Sequence, residues 1–178
     1  VLSAYATPSW KINSKGGIEW NIEKGQLPHK DHIEMSGEQM AFVLRWGIDA
    51  NGALDLERSL VFPLLRTIPN NTHASLMHRF ATDVISLVSV NGRSLQNENT
   101  RLVEIDGMFR SISEFGGGIE VERVIFPSVD KPFMCERYVF KNTNKRASTV
   151  DVADFIQKHT TLPEKGVDGA ILSRKASS

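Results

Sequence analysis

A chain of 178 residues with 40% hydrophobic and 24% charged residues, 13 Gly and 7 Pro has the make-up of one globular domain rather than a disordered, fibrous or collagen-like chain. Lys plus Arg and Asp plus Glu both number 21, so no excess positive field exists to hold nucleic acid or an anionic membrane. The single cysteine, Cys135, excludes an intramolecular disulfide and a multi-cysteine zinc centre, and no run of about 18 apolar residues spans a bilayer.

Residues 1–16 read as an irregular segment. Val1-Leu2-Ser3-Ala4-Tyr5 has neither an initiator Met nor a basic stretch followed by a long apolar one, which reads as a removed signal or a trimmed piece. Trp10 follows Pro8-Ser9 and is the one tryptophan expected as an exposed platform for a sugar ring. From residue 17 onward period two takes over. Ile18, Trp20 and Ile22 alternate with Glu19, Asn21 and Glu23, as on a half-buried strand.

Pro28-His29-Lys30-Asp31-His32-Ile33-Glu34-Met35-Ser36-Gly37 is the densest polar cluster. Extended, it puts His32 and Glu34 on one face and Ile33 and Met35 on the other. Imidazoles and carboxylates so close together fit a ligand or cleft contact, a cation site or a polar strand edge, though the spacing matches no established metal signature and no metal is assigned.

Phe42, Leu44 and Trp46 alternate again, and Asn51-Gly52 marks a tight hairpin to Leu54, Leu56, Leu60 and Phe62. Arg66-Thr67-Ile68-Pro69-Asn70-Asn71-Thr72-His73 is a loop rich in donors and acceptors, where binding residues concentrate on a rigid scaffold. A second Asn-Gly, Asn91-Gly92, predicts a hairpin between residues 84–90 and a strand around 102–105. Gly116-Gly117-Gly118 has no helix after it to supply a phosphate site and reads as a turn.

A third hairpin runs from residues 119–126 through Pro127-Ser128-Val129-Asp130-Lys131-Pro132 to residues 133–140, and a last strand covers residues 149–155. On that hairpin Glu120, Glu122, Arg123, Glu136 and Arg137 read as cross-strand charge pairs rather than as a catalytic carboxylate pair. Cys135 reads as an inert thiol. Together these strands predict an all-β antiparallel β-sandwich over residues 17–155, with Trp20, Phe42, Leu44, Trp46, Leu56, Leu60 and Phe126 in its core. Residues 156–178 lack a clear strand and read as a linker or truncated continuation.

The cluster at residues 28–37, the loop at 66–73, Arg123-Val124-Ile125-Phe126-Pro127-Ser128 and Glu136-Arg137-Tyr138-Val139-Phe140-Lys141-Asn142 resemble the N-terminal β-sandwich of bacterial glycoside hydrolases with an (α/α)6, or six-hairpin, catalytic barrel. The similarity covers most of residues 17–155. It implies a large galactose-mutarotase-like supersandwich, incomplete here, in a periplasmic or secreted enzyme. In that architecture the general acid comes from the helical barrel, and nothing after Phe155 resembles one. The chain is thus expected to be inactive alone, with no catalytic residue and no cofactor. Its implied partners are an oligo- or polysaccharide and the C-terminal (α/α)6 domain. The residues expected to reach the glycan are His29, Asp31, His32, Glu34, Arg66, Asn70, His73 and Trp10. A free-standing carbohydrate-binding or adhesion sandwich is the alternative.

Overall fold

The computed structural model describes residues 10–38, 40–62, 76–80, 83–131, 133–153, 164–165 and 171–172, and only the backbone at residues 24, 61–62, 76–80, 164–165 and 171–172. The chain is all-β, and every strand pairing is antiparallel. Among the described residues the helical pieces are two single 3-10 turns, Lys24–Gln26 and Val84–Leu87.

The strands are β1 (Lys11–Ile12), β2 (Ile18–Asn21), β3 (His29–Ser36), β4 (Ala41–Ile48), β5 (Leu54–Phe62), β6 (Leu76–Phe80), β7 (Val88–Val90), β8 (Arg93–Ser94), β9 (Asn99–Ile105), β10 (Phe109–Phe115), β11 (Ile119–Pro127), β12 (Met134–Asn142), β13 (Val150–Val152), β14 (Glu164–Lys165) and β15 (Ile171–Leu172). They fall into two compact units. The first, Val1–Thr82 with Leu95–Ala147, is a sandwich of a six-stranded sheet, β1-β2-β9-β10-β11-β12, and a four-stranded sheet, β3-β4-β5-β6. The second, Asp83–Ser94 with Ser148–Ser178, holds the three-stranded sheet β13-β7-β8 and the hairpin β14-β15.

Alternation builds the core of the first unit. On β4, Phe42, Leu44, Trp46 and Ile48 are buried while Arg45 between them is exposed. Trp20 on β2 lies opposite Val103 on β9, and Phe109 on β10 lies opposite Ile125 on β11, so both sheets supply one apolar cluster. The Asn51-Gly52 turn forms as its sequence predicts. Asp49 Oδ1 accepts from the amides of Asn51 (2.8 Å) and Ala53 (2.9 Å), and Gly52 takes φ 95°, where a side chain would be strained.

Two expectations fail on phase and pairing. Phe126 is half-buried and Ile125 fully buried, because the β11 register turns Ile119, Val121, Arg123 and Ile125 inward opposite Phe109, Ser111 and Ser113. Leu60 is half-buried at the margin of the core. Residues 84–90 do not pair with 102–105. Asp83 accepts from the Ile85 amide at 3.1 Å and starts a 3-10 turn, and Asn91-Gly92 closes the short β7-β8 hairpin. Residues 102–105 belong to β9, whose partners are β2 and β10.

The sandwich interior also holds charge. Arg58 on β5 is fully buried and grips Glu136 on β12 of the opposite sheet through Nε and Nη2, the latter at 2.8 Å, while Tyr138 donates its hydroxyl proton to Glu136 at 2.5 Å. Arg123, also fully buried, donates to Glu98 (2.7 Å) and Ser113 (3.1 Å) and lies over the Phe115 ring. The expected cross-strand charge pairing is therefore divided by strand parity. Glu120–Lys141 and Glu122–Arg137 pair across the β11-β12 hairpin on the outer face, whereas Arg123 and Glu136 turn inward and bond elsewhere.

Candidate functional site

β3 is an edge strand of the four-stranded sheet, and its parity decides what its polar residues can do. His29 and Asp31 share a face with Ile33 and Met35, whereas Lys30, His32 and Glu34 occupy the other. The structure therefore separates residues that the sequence listed together. His29 and Asp31 belong to one corner of the sandwich, and His32 and Glu34 point away from it. Arg66, Asn70 and His73 lie outside the described residues.

The corner is aromatic. His29 packs its imidazole on Trp20 (ring centroids 4.4 Å apart) and Trp46 (5.1 Å). Trp10 packs on the same two indoles at 5.7 and 6.1 Å, and Trp20 and Trp46 stand 5.9 Å from each other. Centroid spacings in this range belong to offset and edge-to-face contacts between rings. Trp10 is thus not a free platform: it is half-buried, with its inner side spent on Trp20 and Trp46.

The polar atoms of these rings are unevenly satisfied. Trp20 Nε1 donates to Gln26 Oε1 at 2.8 Å, which fixes that indole. Trp46 Nε1 and His29 Nε2 are both buried and find no hydrogen-bond partner among the described residues. A buried unmet donor and acceptor each cost about 1–3 kcal/mol, so such atoms call for an explanation. The neighbour of His29 Nε2 is Asp31 Oδ2 at 3.7 Å, beyond hydrogen-bonding distance. Asp31 is 42% exposed and His29 29%, so the pair opens to solvent. Its other oxygen accepts from the His32 amide at 2.8 Å and stands 3.9 Å from His32 Nδ1.

Chemically, the corner offers a half-buried indole and an exposed carboxylate, with an imidazole packed against two buried, mutually tilted indoles. Among the described residues no group of three or more His, Cys, Asp or Glu side chains stands close enough to hold a metal ion. No described helix is long and apolar enough to cross a membrane. Gln26 is the participant that sequence reasoning missed. It lies in a short polar turn, and only the fold shows that its amide reaches back to Trp20.

Carboxylates elsewhere on the six-stranded sheet are held by cations. Arg110 donates to Glu104 (2.8 Å) and Glu122 (3.2 Å), and Arg137 donates to the second Glu122 oxygen at 3.0 Å. The Arg110 hydrogen bond holds the Glu122 carboxyl below its ordinary value, against the partial burial that would raise it. Apart from the corner, an open cleft of about 560 Å³ is lined by Ser36, Glu38, Met108, Phe126, Pro127 and Val129 among others, and none of these is an expected site residue. No family model, curated protein or solved structure matches the chain.

Proposed function

We propose that the chain is a non-catalytic, glycan-contacting β-sandwich module of a carbohydrate-degrading glycoside hydrolase, part of a larger supersandwich that packs on a helical (α/α)6 barrel in a periplasmic or secreted enzyme. The observation that carries the glycan contact is the Trp10–His29–Asp31 corner. An indole face suits the axial C–H groups of a pyranose and an exposed carboxylate suits its hydroxyls, and Trp10 and the His29–Asp31 pair are both anchored on Trp20. The non-catalytic part is supported by the ion pairs. A glycosidase acid needs a raised pKa, and a guanidinium partner drives a carboxyl the other way, as at Glu122.

The test is calorimetric titration of the whole chain with a panel of neutral and acidic oligosaccharides. At least one should bind, and Trp10→Ala should weaken it about tenfold or more, equivalent to about 1.4 kcal/mol, with an unchanged circular dichroism spectrum. The same protein should release no aryl alcohol from aryl glycosides. Binding that survives Trp10→Ala, or turnover by the purified chain, rules the reading out. The corner also suits a free-standing carbohydrate-binding module. Reading the gene past residue 178 for repeated amphipathic helices separates the two.

A further inference from the structure

We infer that the outer edge of β12 is a self-association surface, on which a second copy of the chain lays its own β12 antiparallel about a two-fold axis at Tyr138. No glycan takes part. β12 is the last strand of its sheet and, at nine residues, as long as any described strand. Among the described residues its backbone bonds to β11 alone, so its other side presents amides and carbonyls of the kind that strand addition uses. The charges that would ordinarily guard such an edge are turned back into the molecule. Glu136, the inward charge, is gripped by the buried Arg58 of the opposite sheet (Nη2 to Oε2 2.8 Å) and by Tyr138. On the outer face Arg137 donates to Glu122 at 3.0 Å and Lys141 to Glu120 at 3.2 Å, both across to β11, and Val139 between them is 45% exposed.

Residues directly opposed in an antiparallel pair share a face, so a two-fold pairing of β12 with itself centres on a residue rather than between two. Centred on Glu136 or on Arg137, the register sets that residue against its own copy, and centred on Val139 it sets Arg137 against Lys141. Like charges in direct opposition destabilise a strand pair. Centred on Tyr138, all nine residues pair without such a conflict: Arg137 meets Val139, Cys135 meets Lys141, Glu136 meets Phe140 and Met134 meets Asn142, each twice. Registers centred nearer either end pair five residues or fewer. The strand is therefore self-complementary in one full-length register, as an isologous interface requires. One strand pair is a small interface, which makes the dimer reversible.

Sedimentation velocity of the whole chain from about 1 to about 500 µM should show the 19.9 kDa monomer giving way to a dimer. Cys135 carries the test of sign, because its neighbour on β11 is the uncharged Phe126. Cys135→Glu places a carboxylate opposite Lys141 of the partner subunit and should tighten the dimer about threefold, while Cys135→Lys opposes two cations there and should weaken it about as much, both with an unchanged circular dichroism spectrum. Lys141→Cys sets a thiol opposite Cys135 of the partner subunit at a spacing that a disulfide spans, whereas the two positions on one strand are about 20 Å apart. Oxidation with copper phenanthroline should therefore crosslink Lys141→Cys into a covalent dimer and leave Arg137→Cys, whose thiol would face Val139, largely monomeric on a denaturing gel. In the unaltered chain, hydrogen exchange over residues 134–142 should slow as concentration rises while that of β4 stays constant, which requires no variant to fold. A chain that is monomeric throughout, a dimer equally tight in both Cys135 variants, or β12 exchange independent of concentration overturns the pairing. Crosslinking of Arg137→Cys in preference to Lys141→Cys overturns it as well.

Discussion

Gly37 has no room for a side chain. A Cβ there would lie 2.0 Å from the Ser128 carbonyl oxygen and 3.3 Å from that of Val129, both of them backbone atoms that cannot swing aside. The approach is fixed from both sides, since the Glu38 amide donates to Val129 O at 2.9 Å and the Gly37 amide to Met40 O at 2.8 Å. Gly37→Ala should therefore cost about 1–3 kcal/mol by forcing the loop after β11 to shift, read as a lower midpoint in urea. A loss under about 0.5 kcal/mol would mean that the loop yields freely. Nothing in the sequence marks this glycine, which stands at the end of a polar run. Its requirement comes from a loop about 90 residues away in sequence that packs against it. Trp20 and Trp46 are the opposite case. Each sits in phase with apolar neighbours, and that phase alone places them in the core. Arg58 and Glu136 were hidden for a third reason. Parity tells which face a residue takes, but not that an arginine and a carboxylate will meet there from opposite sheets.

β3 and the outer face of the six-stranded sheet show how an element protects itself. A long edge strand presents unpaired amides and carbonyls to other chains, and an inward charge with polar outer neighbours is a usual defence. Asp31 on the inner side and Lys30, His32 and Glu34 on the outer side supply that on β3, so the corner that is proposed to meet glycan also serves solubility. Across the outer sheet the ladder Glu104–Arg110–Glu122–Arg137 links four strands. Arg110 and Glu122 are 32% and 25% exposed, which limits the link between them to about 1 kcal/mol or less.

The sign of the pH effect follows from Glu122. Its carboxyl lies below the ordinary 4.5 when folded, so the stabilisation is fully present above that value and is lost as pH falls through the folded pKa. Arg110→Met should accordingly be less stable than wild type at pH 7, and the difference should shrink by pH 3. Urea melts at the two pH values check this, and a difference that stays constant would show that Arg110 acts by packing alone. The strand alternation, the Asn51-Gly52 hairpin and the β11-β12 hairpin were legible because their information is local. The true partners of β9 were not, because residues 102–105 alternate equally well for any neighbour, and the β10 strand that pairs with them reads Phe-Arg-Ser-Ile-Ser-Glu-Phe, with serines in half its inward positions.

In the larger unit most of the described strands pair with their neighbours in sequence. β3 to β6 pair consecutively, and so do β9 to β12, yet β2 pairs with β9, Ile18 facing Ile105, with the whole four-stranded sheet lying between them in sequence. The glycan role is proposed on resemblance and not read from the residues, because a polar corner on a β-sandwich is chemistry that many functions share. The corner itself depends on that one long-range pairing, since Trp20, on which both His29 and Trp10 rest, is carried by β2. Chains leave the ribosome at roughly 5–20 residues per second, so β3 to β6 can zip together seconds before β9 emerges, while Trp20 waits without a sheet to hold it. In pulse-labelled hydrogen exchange during refolding, amides of β4 and β5 should become protected before those of β2, and simultaneous protection would contradict this order. The surface proposed to read sugars is then younger than the four-stranded sheet it rests on, and for that interval a nascent chain carries the Trp20 indole without the strand that seats it.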